Sequence, residues 1–192
     1  MGKRTEQKES RRQQILLCSL ELFVKMGYHG TTVRDIAQQC KISVGLLFHY
    51  FPEKQDILKE LLGMAQSGIA YSLEIMRQSI LPIACLEQIT ENIFKTFNDS
   101  PIAASIFMLA NQSLISHWID EDTKELVHSS SSVEQTALII QKGQQEGSIR
   151  QGNPLSLALS YWGAIQGVAE GLIHYPDIPV PEAEWIVDIL RK

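Results

Sequence analysis

Cysteine is scarce in this 192-residue chain, with three residues at Cys18, Cys40 and Cys85, and no two of them form a CxxC spacing. That excludes a disulfide-dense scaffold and fits reduced thiols in the cytoplasm. The five histidines are scattered, without an i,i+4 pair or an HExxH segment, so no metal ligand set is expected. There is no P-loop, no GxGxxG after a strand and no GxSxG elbow. No catalytic residue, no cofactor and no enzymatic role are therefore expected. The N-terminus is polar and charged, which predicts no cleavable signal peptide. The one long apolar stretch, Leu155 to Tyr175, is interrupted by Ser156, Ser160, Gln166 and Glu170, so no membrane span is expected. No β-type alternation persists, and a chain of this length can hold a core without metals.

What is present is helical spacing. Ile15, Cys18, Leu22, Phe23 and Met26 recur three or four residues apart and predict a first helix from about Lys8 to Met26, ended by Gly27. Thr32 and Asp35 form a short capping box ahead of an apolar stripe, Val33, Ile36, Ala37 and Cys40. Ser43 is a good N-cap for the next helix, in which Val44, Leu47 and Phe51 can face inward. Gly45, His49 and Tyr50 are then largely outward, and the spacing assigns Leu46 and Phe48 to neither face. Two short helices joined by a tight turn over Thr31–Leu58 are a helix-turn-helix, which lays its second helix in the DNA major groove.

Charge is divided in the same sense. Residues 1–62 hold ten Lys/Arg against seven Asp/Glu, a net +3, and the remainder carries −8 of the total −5. A polyanion is drawn to the N-terminal end and repelled by the rest. Lys3, Arg4, Lys8, Arg11 and Arg12 concentrate the effect, although a short charge run alone also fits a solvated tail.

Residues from about Arg12 to Leu62 resemble the DNA-binding domain of the TetR family of bacterial transcriptional regulators. The matching segments are LFVKMGY, TTVRDIA and SVGLLFHYFPEK, above all the aromatic run Phe48-His49-Tyr50-Phe51 followed by Lys54. The resemblance implies an all-α fold, with an N-terminal helix-turn-helix three-helix domain over residues 1–53. A C-terminal helical ligand-binding and dimerisation domain would occupy residues 54–192. It implies that Thr32 and Ser43 approach phosphates at helix N-termini. Arg34 would reach a base edge or phosphate, and Val44, Gly45 and His49 would lie on the recognition helix. Tyr50 and Lys54 would clamp flanking phosphates. Thr32 and Ser43 also serve as caps, and His49 and Tyr50 also fit plain surface and packing roles. Two positions depart from the family: Phe48 stands where tyrosine is frequent, and Lys41 where the turn often has glycine. At a positive φ, Lys41 would carry a steric cost that a phosphate contact could offset.

The rest reads as helices at about Lys54–Ser79, Ile83–Phe97, from Pro101 onward, through Val133–Gln144, Leu155–Tyr175 and Glu182–Leu190. An acidic patch (Asp120, Glu121, Asp122) and the prolines 176, 179 and 181 separate them. By the resemblance the middle helices hold a small-molecule inducer, with Phe94, Phe97, Phe107, Met108, Asn111, Gln112, His117 and Trp118 as candidates, each of which also suits ordinary packing. The Leu155–Tyr175 helix, apolar on all faces, is expected to be buried. Its Gly163, Gly167 and Gly171 stripe, with Tyr161, Ala164 and Val168, is the expected homodimer interface. A dimer addresses two half-sites of a double-stranded DNA operator through one two-fold axis. The sequence thus points to a dimeric regulator, with a repressor released by an inducer as the expectation. The alternative is a helical adaptor whose helix-turn-helix binds protein.

Overall fold

A computed structural model describes residues 3–78, 81–114, 120, 123 and 132–192. His117 and Trp118, and Glu121 and Asp122 of the acidic patch, lie outside the described residues. Among the described residues the regular structure is helical, apart from an isolated antiparallel bridge between Ile149 and Arg191.

The first helix, α1 (Lys3–Gly30), starts earlier than its apolar spacing predicts, because the exposed charged residues before Arg12 continue the helix without burying anything. Gly27 breaks its regularity as expected, with φ 75° and ψ 159°. Buried Thr31 closes that end: its hydroxyl lies 2.9 Å from the Gly27 carbonyl oxygen and 3.2 Å from that of Leu22. Next come α2 (Val33–Gln39) and α3 (Val44–Tyr50). In the turn between them Lys41 adopts φ 56°. That left-handed residue lets the Ile42 N–H donate back to the Ala37 carbonyl at 3.0 Å. The long α4 (Lys54–Gln78) follows Pro52, and the Asp56 carboxylate accepts from the Glu53 N–H at 2.9 Å.

One core joins these elements. Ile15, Leu20 and Phe23 of α1, Ile36 of α2, Leu47 of α3 and Leu58, Leu61 and Leu62 of α4 are all buried together. It extends past residue 53, and α6 (Ala103–Leu114) closes it with Ile106, Leu109 and Ala110. Helix α6 of the C-terminal part packs on α1 and α4, the two helices that flank the helix-turn-helix.

The second core surrounds α8 (Pro154–His174), packed by α5 (Pro82–Asp99), α6, α7 (Ser132–Glu146) and α9 (Ala183–Val187). In α8 only Ala158, Tyr161, Ile165 and Ala169 are buried, while Leu159 is 61% exposed. An apolar helix has two faces here, one packed and one bare. The last helix is also shorter than expected. Past Val187 the backbone tightens into i→i+3 turns, with the Leu190 N–H donating to the Val187 carbonyl at 2.8 Å, and the Leu190 carbonyl accepts from the Arg150 N–H at 2.9 Å beside the Ile149–Arg191 bridge.

Candidate nucleic-acid interface

The recognition element is built from caps outward. In α2 the expected capping box is complete. Thr32 Oγ1 accepts from the Asp35 N–H at 3.2 Å, and the Asp35 carboxylate accepts from the Thr32 N–H at 2.7 Å and its hydroxyl at 2.6 Å. These bonds hold the Asp35 carboxyl below its ordinary range, the side-chain hydrogen bond from Thr32 contributing most. The N–H and hydroxyl that the resemblance aims at a phosphate are thus both turned onto Asp35. Ser43 caps α3 by accepting from the Leu46 N–H at 3.1 Å, a bond that does not use its hydroxyl proton.

With Leu47 and the following Phe51 buried, α3 must turn its other side to solvent. Gly45 and His49, one turn apart, run down the middle of that side. Phe48, 44% exposed, flanks them on one edge and Leu46, 38% exposed, on the other. Val44 and Tyr50 are half-buried, and the His49 and Tyr50 rings meet edge to face at 5.6 Å. Arg34 and Lys41 are exposed. Exposed Leu46 went unassigned in the spacing because an apolar residue on a short helix has no default face.

The start of α1 contributes as well. Glu6, Lys8, Arg11 and Gln14 line one side of an open groove of about 1070 Å³, and Leu46, His49 and Tyr50 line the other. The basic run, which on charge alone also fits a solvated tail, is a helix lying alongside α3.

Two basic residues are structural instead. Lys54, expected as a phosphate clamp, has its ammonium 2.7 Å from the Tyr28 carbonyl oxygen and 2.8 Å from that of Thr31, and 4.0 Å from the centre of the Tyr28 ring. Burial lowers its pKa. It ties the start of α4 to the carbonyl end of α1, where a cation is favoured. Arg12 pairs with Glu60 and stacks over Phe51 at 4.7 Å.

In the C-terminal part, Phe94, Phe97 and Phe107 form a continuous aromatic group, with centroids 6.1 and 5.6 Å apart. Phe94, Phe97 and Met108 are buried in the second core, and Asn111 and Gln112 are half-buried. Tyr161, expected at a dimer interface, is a correction. It is wholly buried within one chain, and its hydroxyl lies 2.8 Å from Thr90 Oγ1 and 3.3 Å from the Leu86 carbonyl oxygen. Burial pushes that phenol's pKa upward. Gly163 and Gly167 are exposed and Ala164, Val168 and Gly171 half-buried. A Cβ at any of the three glycines would meet nothing within 4 Å in this chain. Among the described residues no cluster of three or more His, Cys, Asp or Glu could hold a metal ion, and no helix is long and apolar enough to cross a membrane.

Comparison with known proteins agrees with this geometry. The sequence profile of the family described as "Bacterial regulatory proteins, tetR family" matches residues 15–61, from the core of α1 to the second turn of α4. The HTH-type transcriptional regulator RutR of Escherichia coli (strain K12) is 25% identical over 188 residues, covering 96% of this chain and 82% of RutR. Among solved structures, the MbdR regulator from Azoarcus sp. CIB superposes with a TM-score of 0.71 at 23% identity, covering 93% of this chain and 96% of that one. AibR in complex with isovaleryl coenzyme A and operator DNA superposes with a TM-score of 0.63 at 17% identity, covering 93% and 94%. These structures share the fold: an N-terminal helix-turn-helix followed by a helical domain. Residues 15–61 thus carry the DNA-binding domain of the TetR family of bacterial transcriptional regulators, and the rest of the chain shares the helical fold of that family's solved structures.

Proposed function

We propose that this protein is a dimeric transcriptional repressor that binds a palindromic operator through α2 and α3 and leaves it when a small molecule binds among the C-terminal helices. The observation that carries the reading is the exposed face of α3. Leu46, Phe48 and His49 are exposed on it, Lys8 and Arg11 stand across an open groove from it, and residues 1–62 carry a net +3 against −8 for the remainder. Arg34, Lys41, Ser43, His49 and Tyr50 are the contacts to DNA, with Lys54 holding α4 against α1. RutR, an HTH-type transcriptional regulator, and AibR, solved with an acyl-coenzyme A and operator DNA, support the class of activity. With DNA as partner, the cytoplasm is its place of work, and no catalytic role is assigned to any residue.

The bare stripe Gly163, Gly167 and Gly171, edged by exposed Leu155 and Leu159, supports a second copy as the occupant of that face of α8. The aromatic group Phe94, Phe97 and Phe107 favours an apolar or amphipathic ligand. Coupling between the parts runs through α4 and α6. Asp120, whose carboxylate accepts from the Thr123 N–H at 2.7 Å, also receives the Gln55 amide and lies 4.0 Å from Lys59 Nζ on α4. A ligand that displaces Asp120 therefore pulls on the first turns of α4 and changes the spacing of the two recognition helices. Coupling of roughly 1–3 kcal/mol, typical of allostery, suffices.

The test is operator affinity of Arg34→Ala combined with His49→Ala. DNA affinity should be lost while dimerisation stays intact. Retained DNA affinity, or loss of a protein partner in its place, would favour the adaptor alternative.

A further inference from the structure

The outward face of α3 is defined by what it lacks. Val44–Tyr50 contains no Arg, Lys, Asn, Gln, Asp or Glu. Those are the side chains that recognise guanine, adenine or cytosine edges through paired or charge-assisted hydrogen bonds. Leu46 and Phe48 are exposed on either edge of the Gly45–His49 line, while the neighbouring Leu47 is buried. A Cβ at Gly45 would meet nothing within 4 Å, so the glycine does not serve packing inside the chain. Its bare backbone leaves room for a close approach along the middle of the face.

Two exposed apolar side chains on a helix that faces a polyanion need an apolar partner on the DNA. The major groove offers one, the C5-methyl group of thymine. Lys8 and Arg11 across the groove, with Ser43 at the start of α3, supply attraction to phosphates, which positions the helix without selecting a base. We propose that Leu46 and Phe48 are specificity-determining residues that select thymine through its methyl group, on the two sides of His49, the one side chain at the centre of the face that can hydrogen-bond a base. The proposal rests on α3 being the DNA-reading helix, and it adds the base class that helix reads.

The experiment starts from duplexes selected from a random pool by the full-length protein. In the enriched site each thymine is replaced, symmetrically in both half-sites, by 2′-deoxyuridine, which keeps base pairing and removes only the methyl. Affinity is read by fluorescence anisotropy at one salt concentration. At one or two positions per half-site the replacement should weaken binding roughly fivefold to twentyfold, the scale of burying two methyl groups. Leu46→Ala and Phe48→Ala should each abolish the thymine-over-uridine preference at its own position. Both side chains are exposed, so unchanged thermal unfolding verifies that the variants fold. Uridine tolerated within twofold at every thymine, or variants that keep the full preference, would overturn the proposal and leave the DNA-binding reading intact. If no duplex is enriched, the DNA-binding reading fails and the proposal fails with it.

Discussion

At the scale of single residues, the helix-turn-helix carries a local cost and an unexpected brace. Lys41 is the one non-glycine with positive φ among the described residues, at 56°. A Cβ in that conformation crowds the following carbonyl, a cost that glycine avoids. Lys41→Gly should therefore raise stability by about 0.5–1 kcal/mol in urea unfolding. If the lysine earns its place at a phosphate, the same variant should bind DNA more weakly and show a shallower salt dependence. Lys54 behaves in the opposite way. Its ammonium is committed to two carbonyls and an aromatic face, so Lys54→Met should cost about 1–2 kcal/mol of stability. A pure phosphate clamp would instead lose DNA affinity with stability unchanged. The family resemblance placed Lys54 on the right helix turn but could not show where its ammonium goes. That depends on α1 ending beneath it, a contact between residues 26 positions apart.

At the scale of elements, the helices legible in the sequence are those whose stabilisation is local. The Thr32–Asp35 box, the Ser43 cap and Gly27 stand where the residues predict, because each works through bonds within a few positions. The shortened last helix was illegible. The segment after it is tied by Leu190 and Arg191 to Arg150 and Ile149, some 40 residues away, and no local pattern announces that contact. The same junction hides a close approach. A Cβ at Gly143 would lie 2.5 Å from Ile149 Cδ1 and 3.0 Å from Pro82 Cβ, and Ile149 is wholly buried with nowhere to retreat. Gly143→Ala should cost about 1–3 kcal/mol despite its better helix propensity, as overpacking does, and thermal unfolding measures it. Where Asp120 meets α4, Asp120→Asn removes the charge attraction to Lys59. Operator affinity of the ligand-free protein should change little, while the drop in affinity on adding inducer should shrink. An undiminished inducer response would place the coupling elsewhere, with the α6 packing on α1 as the remaining contact.

At the scale of the whole molecule, two bare faces lie at opposite ends of the chain: the outward side of α3 and the glycine stripe of α8. The spacing of the three glycines reads as a close-packing surface, and within one chain nothing packs on it. Tyr161 was not separable from it by sequence. An aromatic residue among apolar neighbours looks the same whether it packs inward on Thr90 or outward on a partner. With open space at Gly167, replacing it by leucine leaves one chain's packing untouched and obstructs a second helix. Gly167→Leu should shift the mass seen by light scattering from a dimer toward the 21.6 kDa of one chain. The monomer should remain helical but bind palindromic DNA far more weakly. A variant that stays dimeric would move the interface off this stripe.

Operator binding by a dimer requires α3 to enter DNA as one of a symmetric pair. The direct measurement is fluorescence anisotropy of folded, ligand-free protein on duplexes selected from a random pool, repeated across salt concentrations. Enrichment of a palindromic site is predicted, with log affinity falling linearly and steeply as log salt rises. No binding to any duplex, or salt-sensitive binding with no sequence enriched, would contradict it.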